Sequence, residues 1–273
     1  MTRSFHQIPC EGDIIAATID EGHKPTGLLI VSGGNEIRSG AHAGMSRISR
    51  ALSAKGFPVM RYDRRGVGDS SGENTEFLSS RADIIAASRY FRSSCPKISK
   101  VIAFGNCDAA TALVFFGEEA GLDGLILANP WVIENTASDG QGLTKPTPSA
   151  VRSRYLERLK NPRTFVDLIK GNIDFEKLVS GLKTASRKEE ITGLSIQVRD
   201  SLMESEFPTK ILLAKRDTTA LAFLSAWNSS HFNDVEKKTN IALDMLDSAS
   251  HSFADDPSGK WLENRLLAIL KNA

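Results

Sequence analysis

The five residues Gly105-Asn106-Cys107-Asp108-Ala109 constrain the fold of this 273-residue chain more than any other stretch. They follow the apolar run Val101–Phe104 and open an alanine-rich segment with helical periodicity. Small residues on both sides of Cys107 fit a sharp turn, after which the helix packs close to the strand. The pattern therefore predicts a strand, a tight turn that presents Cys107, and a helix.

Short apolar, β-branched runs alternate with helical patterns, which predicts a mostly parallel, doubly wound α/β sheet with helices on both faces. The predicted strands are Asp13–Ile19, Gly27–Ser32, Phe57–Tyr62, Lys100–Phe104, Leu122–Ala128, Lys210–Ala214 and Asn240–Leu246. The predicted helices are Gly44–Gly56, Ala82–Phe91, the segment from Asp108 through Phe116, and Trp261–Leu270.

The alternation stops between Trp131 and Glu206, and this break gives the predicted domain organisation. Residues 138–148 are rich in Gly, Ser, Thr and Pro, as in a loop, and residues 150–182 show helical periodicity with many basic side chains. We therefore predict an α/β core of residues 1–131 and 207–273, with a helical cap inserted at 132–206. The basic side chains of the cap, among them Arg154 and Arg158, form either a solvated surface or a site for an anionic group of a substrate.

Charge and cysteine content limit the classes of partner. Lys and Arg total 34 against 33 for Asp and Glu, so no overall field favours nucleic acid. No apolar run is long enough to span a bilayer, and the first twelve residues lack the apolar segment of a signal peptide. Three cysteines, an odd number, fit a reducing compartment. We expect a cytoplasmic protein without membrane insertion, and the sequence leaves its oligomeric state open.

Cys107 is a candidate nucleophile, and such a residue needs a base and an acid that orients the base. His251 comes directly after the last predicted strand, whereas His231 lies in a polar stretch. Asp217 follows the strand Lys210–Ala214. Ligands bind where the carboxyl ends of parallel strands meet, so we predict His251 as the base and Asp217 as the acid. No cluster of His and Cys has zinc-ligand spacing and no phosphate-binding loop occurs, so we expect no metal and no cofactor.

Two of these residues also have a simpler structural interpretation. Asp217 could cap the helix that follows it, a role that Thr218 or Thr219 could equally serve. Cys107 could be a small buried apolar residue. The chain order nucleophile, acid, base favours the catalytic interpretation, in which His251 takes the thiol proton and Asp217 fixes the imidazole tautomer. A free thiol ionises with a pKa of ~8.5, so it forms an ion pair with imidazole more readily than a hydroxyl does.

Acyl transfer also needs N–H groups that stabilise an oxyanion. The backbone N–H of Asp108, directly after the nucleophile, is the first candidate. The second comes from the loop Ser32-Gly33-Gly34-Asn35, whose glycines let the backbone approach a ligand closely. Asn35 is the preferred donor there, and Gly34 is the alternative.

The segment Tyr62–Gly72, with the sequence YDRRGVGDSSG, is similar to the Asp-x-Arg-Gly-x-Gly-x-Ser-x-Gly loop of α/β-hydrolases. Three further segments, Gly33–His42, Gly105–Ala110 and Lys215–Asp217, resemble the exosortase A system-associated hydrolases, which occur near genes for exopolysaccharide production and protein sorting. The resemblance implies the α/β-hydrolase fold and a cysteine at the turn, but it supplies no substrate. Arg38 and His42 lie in the first of the three segments and are candidates for substrate binding.

The sequence thus predicts a hydrolase that cleaves an ester or thioester of a small molecule through an acyl-enzyme on Cys107. One alternative is an acyltransferase that passes the acyl group to a sugar or another small acceptor. The other is a non-catalytic protein that retains the triad as a ligand pocket.

Overall fold

Eight strands form one sheet in a computed structural model that describes residues 2–75, 77, 80–134 and 192–273. In chain order the strands are β1 (Arg3–Cys10), β2 (Asp13–Asp20), β3 (Thr26–Val31), β4 (Val59–Tyr62), β5 (Lys100–Asn106), β6 (Gly124–Ala128), β7 (Thr209–Ala214) and β8 (Ile241–Leu246). Across the sheet they run β1-β2-β4-β3-β5-β6-β7-β8.

The sheet is parallel except at one edge. β1 and β2 form an antiparallel hairpin, and β2 pairs antiparallel with β4. All other neighbours, from β4 across to β8, pair in parallel. The predicted mostly parallel sheet is confirmed, with every predicted strand present. The sequence analysis missed β1, an edge strand that alternates exposed and covered side chains and leaves Phe5 74% exposed.

Helices cover both faces of the sheet, as predicted. The described helices are α1 (Gly44–Ala54), α2 (Arg81–Ser94), α3 (Asp108–Phe116), α4 (Gly193–Glu204), α5 (Thr218–Trp227), α6 (Asn233–Glu236) and α7 (Asp256–Asn272), with 3-10 turns at Ala41–Ala43 and Ser230–Phe232. Apolar residues of α1 and α7 bury against one face, and those of α2 through α6 bury against the other.

The central strands alternate between these two cores. In β3, Leu28 and Ile30 belong to the core with α1 and α7, whereas Leu29 and Val31 belong to the other. Successive side chains of a strand point to opposite faces, and both faces are covered here. This is why the central strands appear in the sequence as unbroken apolar runs.

Part of the predicted cap belongs to the core. Helix α4 buries Val198 and Leu202 in the same apolar cluster as the strands, so it is not separate from the sheet. The Thr192 hydroxyl donates to the Val132 carbonyl at 2.8 Å, and the Leu194 amide donates to the Glu134 carboxylate at 2.7 Å. The described residues on either side of 135–191 therefore lie next to each other. The remainder of the predicted cap, residues 135–191, lies outside the described residues and includes the loop at 138–148.

Among the described helices, none combines the length and the apolar character needed to cross a bilayer.

Candidate active site

Cys107 occupies a strained turn between β5 and α3. Its backbone has φ 62° and ψ −126°, a conformation that non-glycine residues rarely adopt and that the surrounding structure must hold in place. The Cys107 N–H donates to the Ala128 carbonyl at 2.9 Å, and its own carbonyl accepts from the Ala110 N–H at 3.1 Å. A Cβ on Gly105 would lie 2.8 Å from the carbonyl of Ala109, so only glycine fits there. The predicted strand, turn and helix are all present.

His251 and Asp217 meet across the ends of β7 and β8. The His251 Nδ1 lies 3.0 Å from the Asp217 Oδ2, and Asp217 is only 6% exposed. The same Oδ2 accepts from the backbone N–H groups of Thr219 and Ala220 at 3.0 and 3.1 Å, so Asp217 also caps α5. The cap is therefore confirmed, and the catalytic role stays a prediction that the cap does not oppose, because one carboxylate oxygen contacts both the helix and the imidazole.

Hydrogen bonds shift the titration of His251. The bond with Asp217 first, and a side-chain hydrogen bond with Cys107 second, raise the pKa of His251 to about 10 from its ordinary 6.5. His251 thus connects Cys107 and Asp217, with its side chain 42% exposed. An imidazole with a raised pKa is protonated at neutral pH, so a positive charge faces Cys107.

Asn129 supports this arrangement and was not identified from the sequence. It is fully buried at the end of β6 with φ 41°. Its side-chain NH2 donates to the Asn106 Oδ1 at 3.1 Å and to the His251 carbonyl at 3.0 Å, and its Oδ1 accepts from the Ala214 N–H at 2.8 Å. One amide therefore ties together the strand ends that carry Cys107, Asp217 and the His251 loop. In the sequence, the only indication of this role is that an asparagine directly follows an apolar strand.

The loop after β3 is fastened to the start of α3. The Gly34 N–H donates to the Asp108 Oδ1 at 2.7 Å, and the Arg64 guanidinium donates to the Gly34 carbonyl. Arg64 also lies 3.5 Å from the Asp108 Oδ2. A Cβ on Gly33 would lie 2.6 Å from the backbone carbonyl oxygen of Asn106, so the close approach requires glycine.

The hydrogen bond between Gly34 and Asp108 distinguishes the candidate N–H donors to an oxyanion. The Gly34 N–H is already engaged by the Asp108 carboxylate, so it is not an open donor. Within the described ranges, no acceptor engages the backbone N–H of Asn35 or of Asp108, the first residue of α3. Of the two loop candidates, Asn35 is therefore the one with an available N–H.

A cleft of about 310 Å³ adjoins Cys107. Its walls combine backbone, amide and charged groups with two aromatic rings, contributed by Gly34, Asn35, Arg64, Asn74, Phe77, Cys107, Asp108 and Trp131. A concave site of this size with a few polar groups is typical of small-molecule binding.

The other sequence candidates lie elsewhere. Arg38 donates to the Thr18 hydroxyl at 3.1 Å and pairs with Asp63 and Asp69, so its charge is used within the loop network and it does not line the cleft. His42 is exposed on the turn Ala41–Ala43 with φ 50°, and it does not line the cleft either. Neither has the geometry expected of a substrate ligand.

The remaining residues to place are two arginines of the predicted cap, His231 and the cysteines. Arg154 and Arg158 lie outside the described residues. His231 is exposed on a 3-10 turn, and the histidine that hydrogen-bonds to Asp217 is His251.

All three cysteines are free. Burial raises the pKa of Cys10 to about 11, and burial also raises the pKa of Cys95. In the part of the chain that the structure describes, no group of three or more His, Cys, Asp or Glu side chains could hold a metal ion.

The fold and sequence resemble known hydrolases. A family model described as "Serine aminopeptidase, S33" matches residues 24–258. An esterase from Pyrococcus furiosus superposes with a TM-score of 0.66 at 16% identity, covering 99% of this chain and 92% of that one. Est1E from Butyrivibrio proteoclasticus, solved with ferulic acid bound, gives 0.64 at 14% identity, covering 98% of both chains. A proline iminopeptidase from Mycobacterium smegmatis gives 0.57 at 14% identity, again covering 98% of both. No curated protein sequence matches the chain.

Proposed function

This chain belongs to the serine aminopeptidase S33 family and is an enzyme of the α/β-hydrolase type, and on that premise we propose that it cleaves an ester or thioester through a Cys107–His251–Asp217 triad. The observation that carries the proposal is the 3.0 Å contact between the His251 Nδ1 and the buried Asp217, with Cys107 second after Asp217 among the causes that raise the pKa of His251. The family is named for serine, so a cysteine at the turn is the distinguishing feature of this chain.

Acylation begins with the Cys107 thiolate. It attacks the carbonyl carbon of the substrate and forms a C–S bond, while the carbonyl π electrons move to oxygen. The N–H groups of Asp108 and Asn35 donate to that oxyanion. When it collapses, the bond to the leaving alcohol or thiol breaks, and the His251 Nε2 supplies the proton. Asp217 keeps the other imidazole proton on Nδ1 and stabilises the imidazolium.

Deacylation uses the same imidazole as a base. The Cys107 thioester no longer carries the thiolate charge, so one of the causes that raise the pKa of His251 is removed. The neutral imidazole takes a proton from water, whose oxygen attacks the acyl carbon. Collapse of the second tetrahedral intermediate returns the thiolate and releases the carboxylic acid.

The titration of His251 favours esters and thioesters over amides. An imidazolium with a raised pKa is a weak acid, and an amine leaves a tetrahedral intermediate only when an acid protonates its nitrogen. Thiolates, and alkoxides of low pKa, leave with little assistance. The esterase name of the Pyrococcus furiosus neighbour agrees with this choice, whereas the proline iminopeptidase and the aminopeptidase name of the family agree with amides, so the choice rests on the titration of His251.

The narrower assignment rests on the three segments that resemble exosortase A system-associated hydrolases. Two of them touch through the bond between Gly34 and Asp108, and the third contributes Asp217. We therefore include membership of that group in the proposal, with a small acyl compound as the substrate.

The test is steady-state turnover of matched p-nitrophenyl esters, an aryl thioester and a p-nitroanilide. The wild-type protein is expected to hydrolyse the ester and the thioester, and Cys107→Ser is expected to lose most of that activity. Cys95→Ser serves as the matched control, because Cys95 lies at the end of α2. Faster turnover of the anilide than of the ester, or full activity in Cys107→Ser, would contradict the proposal.

A further inference from the structure

Arg64 is a buried arginine of the cleft to which the mechanism above gives no role. It lies in the loop after β4, is only 4% exposed, and lines the cleft beside Cys107. Its Nη1 is buried and has no hydrogen-bond partner among the described residues. A buried guanidinium with an unused donor costs free energy, so its position beside Cys107 needs a reason other than stability.

The other terminal nitrogen of Arg64 binds the loop that carries the Asn35 donor. The Arg64 Nη2 donates to the Gly34 carbonyl and lies 3.5 Å from the Asp108 Oδ2. On the other side of the same glycine, the Gly34 N–H donates to the Asp108 Oδ1 at 2.7 Å. Asp108 therefore holds the peptide group before Gly34, and Arg64 holds the peptide group after it.

The peptide group between Gly34 and Asn35 is the central one of a β-turn. The Glu36 N–H donates to the Gly33 carbonyl at 3.0 Å and closes the turn, in which Gly34 has φ 53°. Two turn types accept a φ of about +60° at this position, and they differ by a rotation of the central peptide group. Such a rotation would reverse the directions of the Gly34 carbonyl and of the Asn35 N–H.

A hydrogen bond to the Gly34 carbonyl selects one of these orientations. The peptide group is planar and trans, so the Asn35 N–H points away from the carbonyl oxygen that Arg64 binds. The positive charge of the donor also polarises the peptide group, which makes the Asn35 N–H a stronger donor. Asn35 lines the same cleft as Cys107, so a fixed and polarised N–H is available there.

We propose that Arg64 is a positioning residue for oxyanion stabilisation, because its bond to the Gly34 carbonyl fixes the peptide group whose N–H, that of Asn35, donates to the tetrahedral intermediate. The inference rests on the proposed function, since an oxyanion forms only if Cys107 attacks a carbonyl carbon. In this role Arg64 acts through the peptide group and not on the substrate.

The experiment compares two reactions of Cys107 in Arg64→Met. Hydrolysis of a p-nitrophenyl ester passes through an oxyanion, whereas alkylation by iodoacetamide does not, because there the sulfur displaces iodide from a saturated carbon. We expect kcat for the ester to fall on the order of 10- to 10²-fold, less than for loss of a whole oxyanion donor. KM and the alkylation rate at constant pH are expected to stay within about twofold, because the lost interaction belongs to the transition state.

Arg92→Met is the matched control. The Arg92 Nη2 also donates to a glycine carbonyl, that of Gly121 at 2.7 Å, and to a carboxylate, that of Asp123 at 2.6 Å. Arg92 does not line the cleft, so its replacement removes the same kind of contacts and is expected to leave kcat unchanged.

A second measurement tests the peptide group without any substrate. Labelling with carbonyl-13C glycine and 15N asparagine gives one correlated NMR signal for each Gly-Asn pair, and the chain has three such pairs. The signal of Gly34 and Asn35 is identified by its absence in Asn35→Gln. In Arg64→Met the Gly34 carbonyl carbon is expected to move to lower chemical shift, because it loses a hydrogen bond, and in Arg92→Met it is expected to stay in place.

Wild-type kcat in Arg64→Met, or an unmoved Gly34 carbonyl signal, would overturn the inference. Equal falls in kcat and in the alkylation rate would also overturn it, because Arg64 would then act on the thiolate. Should methionine prevent folding, Arg64→Gln gives the same comparison. A wild-type protein that hydrolyses no ester would retire the proposed function and the oxyanion role together, whereas wild-type turnover with an unchanged kcat in Arg64→Met would retire this inference alone.

Discussion

Replacing Asp217 with asparagine separates the two roles of this carboxylate. Asparagine caps helices about as well as aspartate does, so the bonds from Thr219 and Ala220 can persist. We expect the cap to account for no more than about 1 kcal/mol of the loss in unfolding free energy at neutral pH, and the lost charge facing His251 to account for the rest. The cap is thus preserved while the charge facing His251 is removed.

The catalytic effect follows from the lost negative charge. The two backbone N–H groups and the His251 Nδ1 all contact the same oxygen of Asp217, so an asparagine that keeps its oxygen there still accepts the Nδ1 proton. The imidazole tautomer is then kept, but no carboxylate charge stabilises the imidazolium that forms when His251 takes the Cys107 proton. Because the bond to Asp217 is the largest cause of the raised pKa of His251, the pKa of His251 falls as well.

We expect kcat/KM for a p-nitrophenyl ester to fall on the order of 10²-fold, less than in a serine triad because the tautomer is kept and a thiol ionises more readily. The assay records kcat/KM from about pH 5 to pH 10, with denaturation in urea alongside. Asp255→Asn is the matched control, since Asp255 caps α7 through the Ser258 N–H at 3.0 Å. Wild-type kcat/KM in Asp217→Asn, with an unchanged pH profile, would refute the role given to Asp217.

Three further predictions concern the stability that Gly105, Asn129 and His251 contribute to the folded protein. Gly105→Ala places a Cβ 2.8 Å from the Ala109 backbone, so urea denaturation should show a loss of about 2 kcal/mol, and an unchanged midpoint would contradict the packing argument. Asn129→Leu leaves several buried groups unpaired, including the Ala214 N–H, and should cost on the order of 3 kcal/mol, with a lower Tm; a Tm equal to that of the wild type would argue against the role of Asn129. The folded-state pKa of His251, about 10, lies above the ordinary 6.5, so its contribution to stability is complete below about pH 6.5 and is lost as the pH rises towards 10. Unfolding measured across this range should show the difference between wild type and His251→Gln shrinking with increasing pH, and a growing difference would reverse the sign of the argument.

The central strands, and the order in which Cys107, Asp217 and His251 occur, could be predicted because both are local signals. Apolar runs define strands buried on both faces, and each candidate side chain follows the carboxyl end of a strand. Edge strand β1 could not be identified in this way, because its half-exposed alternation is weak and its pairing with β2 supplies the missing stabilisation.

The contacts that refine the site join residues far apart in the chain, and no local pattern specifies them. Asn129 bonds to the carbonyl of His251, 122 positions away, and Asp108 engages the Gly34 amide, 74 positions away. Arg38 could equally have faced a substrate, and only the positions of Asp63 and Asp69 show that its charge is already paired. The sequence predicted the candidate catalytic residues, whereas the tertiary contacts determine which of the candidates face the cleft.

The most direct test of the central claim, that Cys107 is the nucleophile, is intact-mass spectrometry after brief exposure to activated acyl esters. The wild-type protein is predicted to gain the mass of one acyl group, located on the peptide that contains Cys107, and to lose it with time as the acyl-enzyme hydrolyses. Cys107→Ala is predicted to gain no such mass, while Cys95→Ser behaves as the wild type. An acyl group that forms equally in Cys107→Ala, or ester turnover that continues in that variant, would contradict the account.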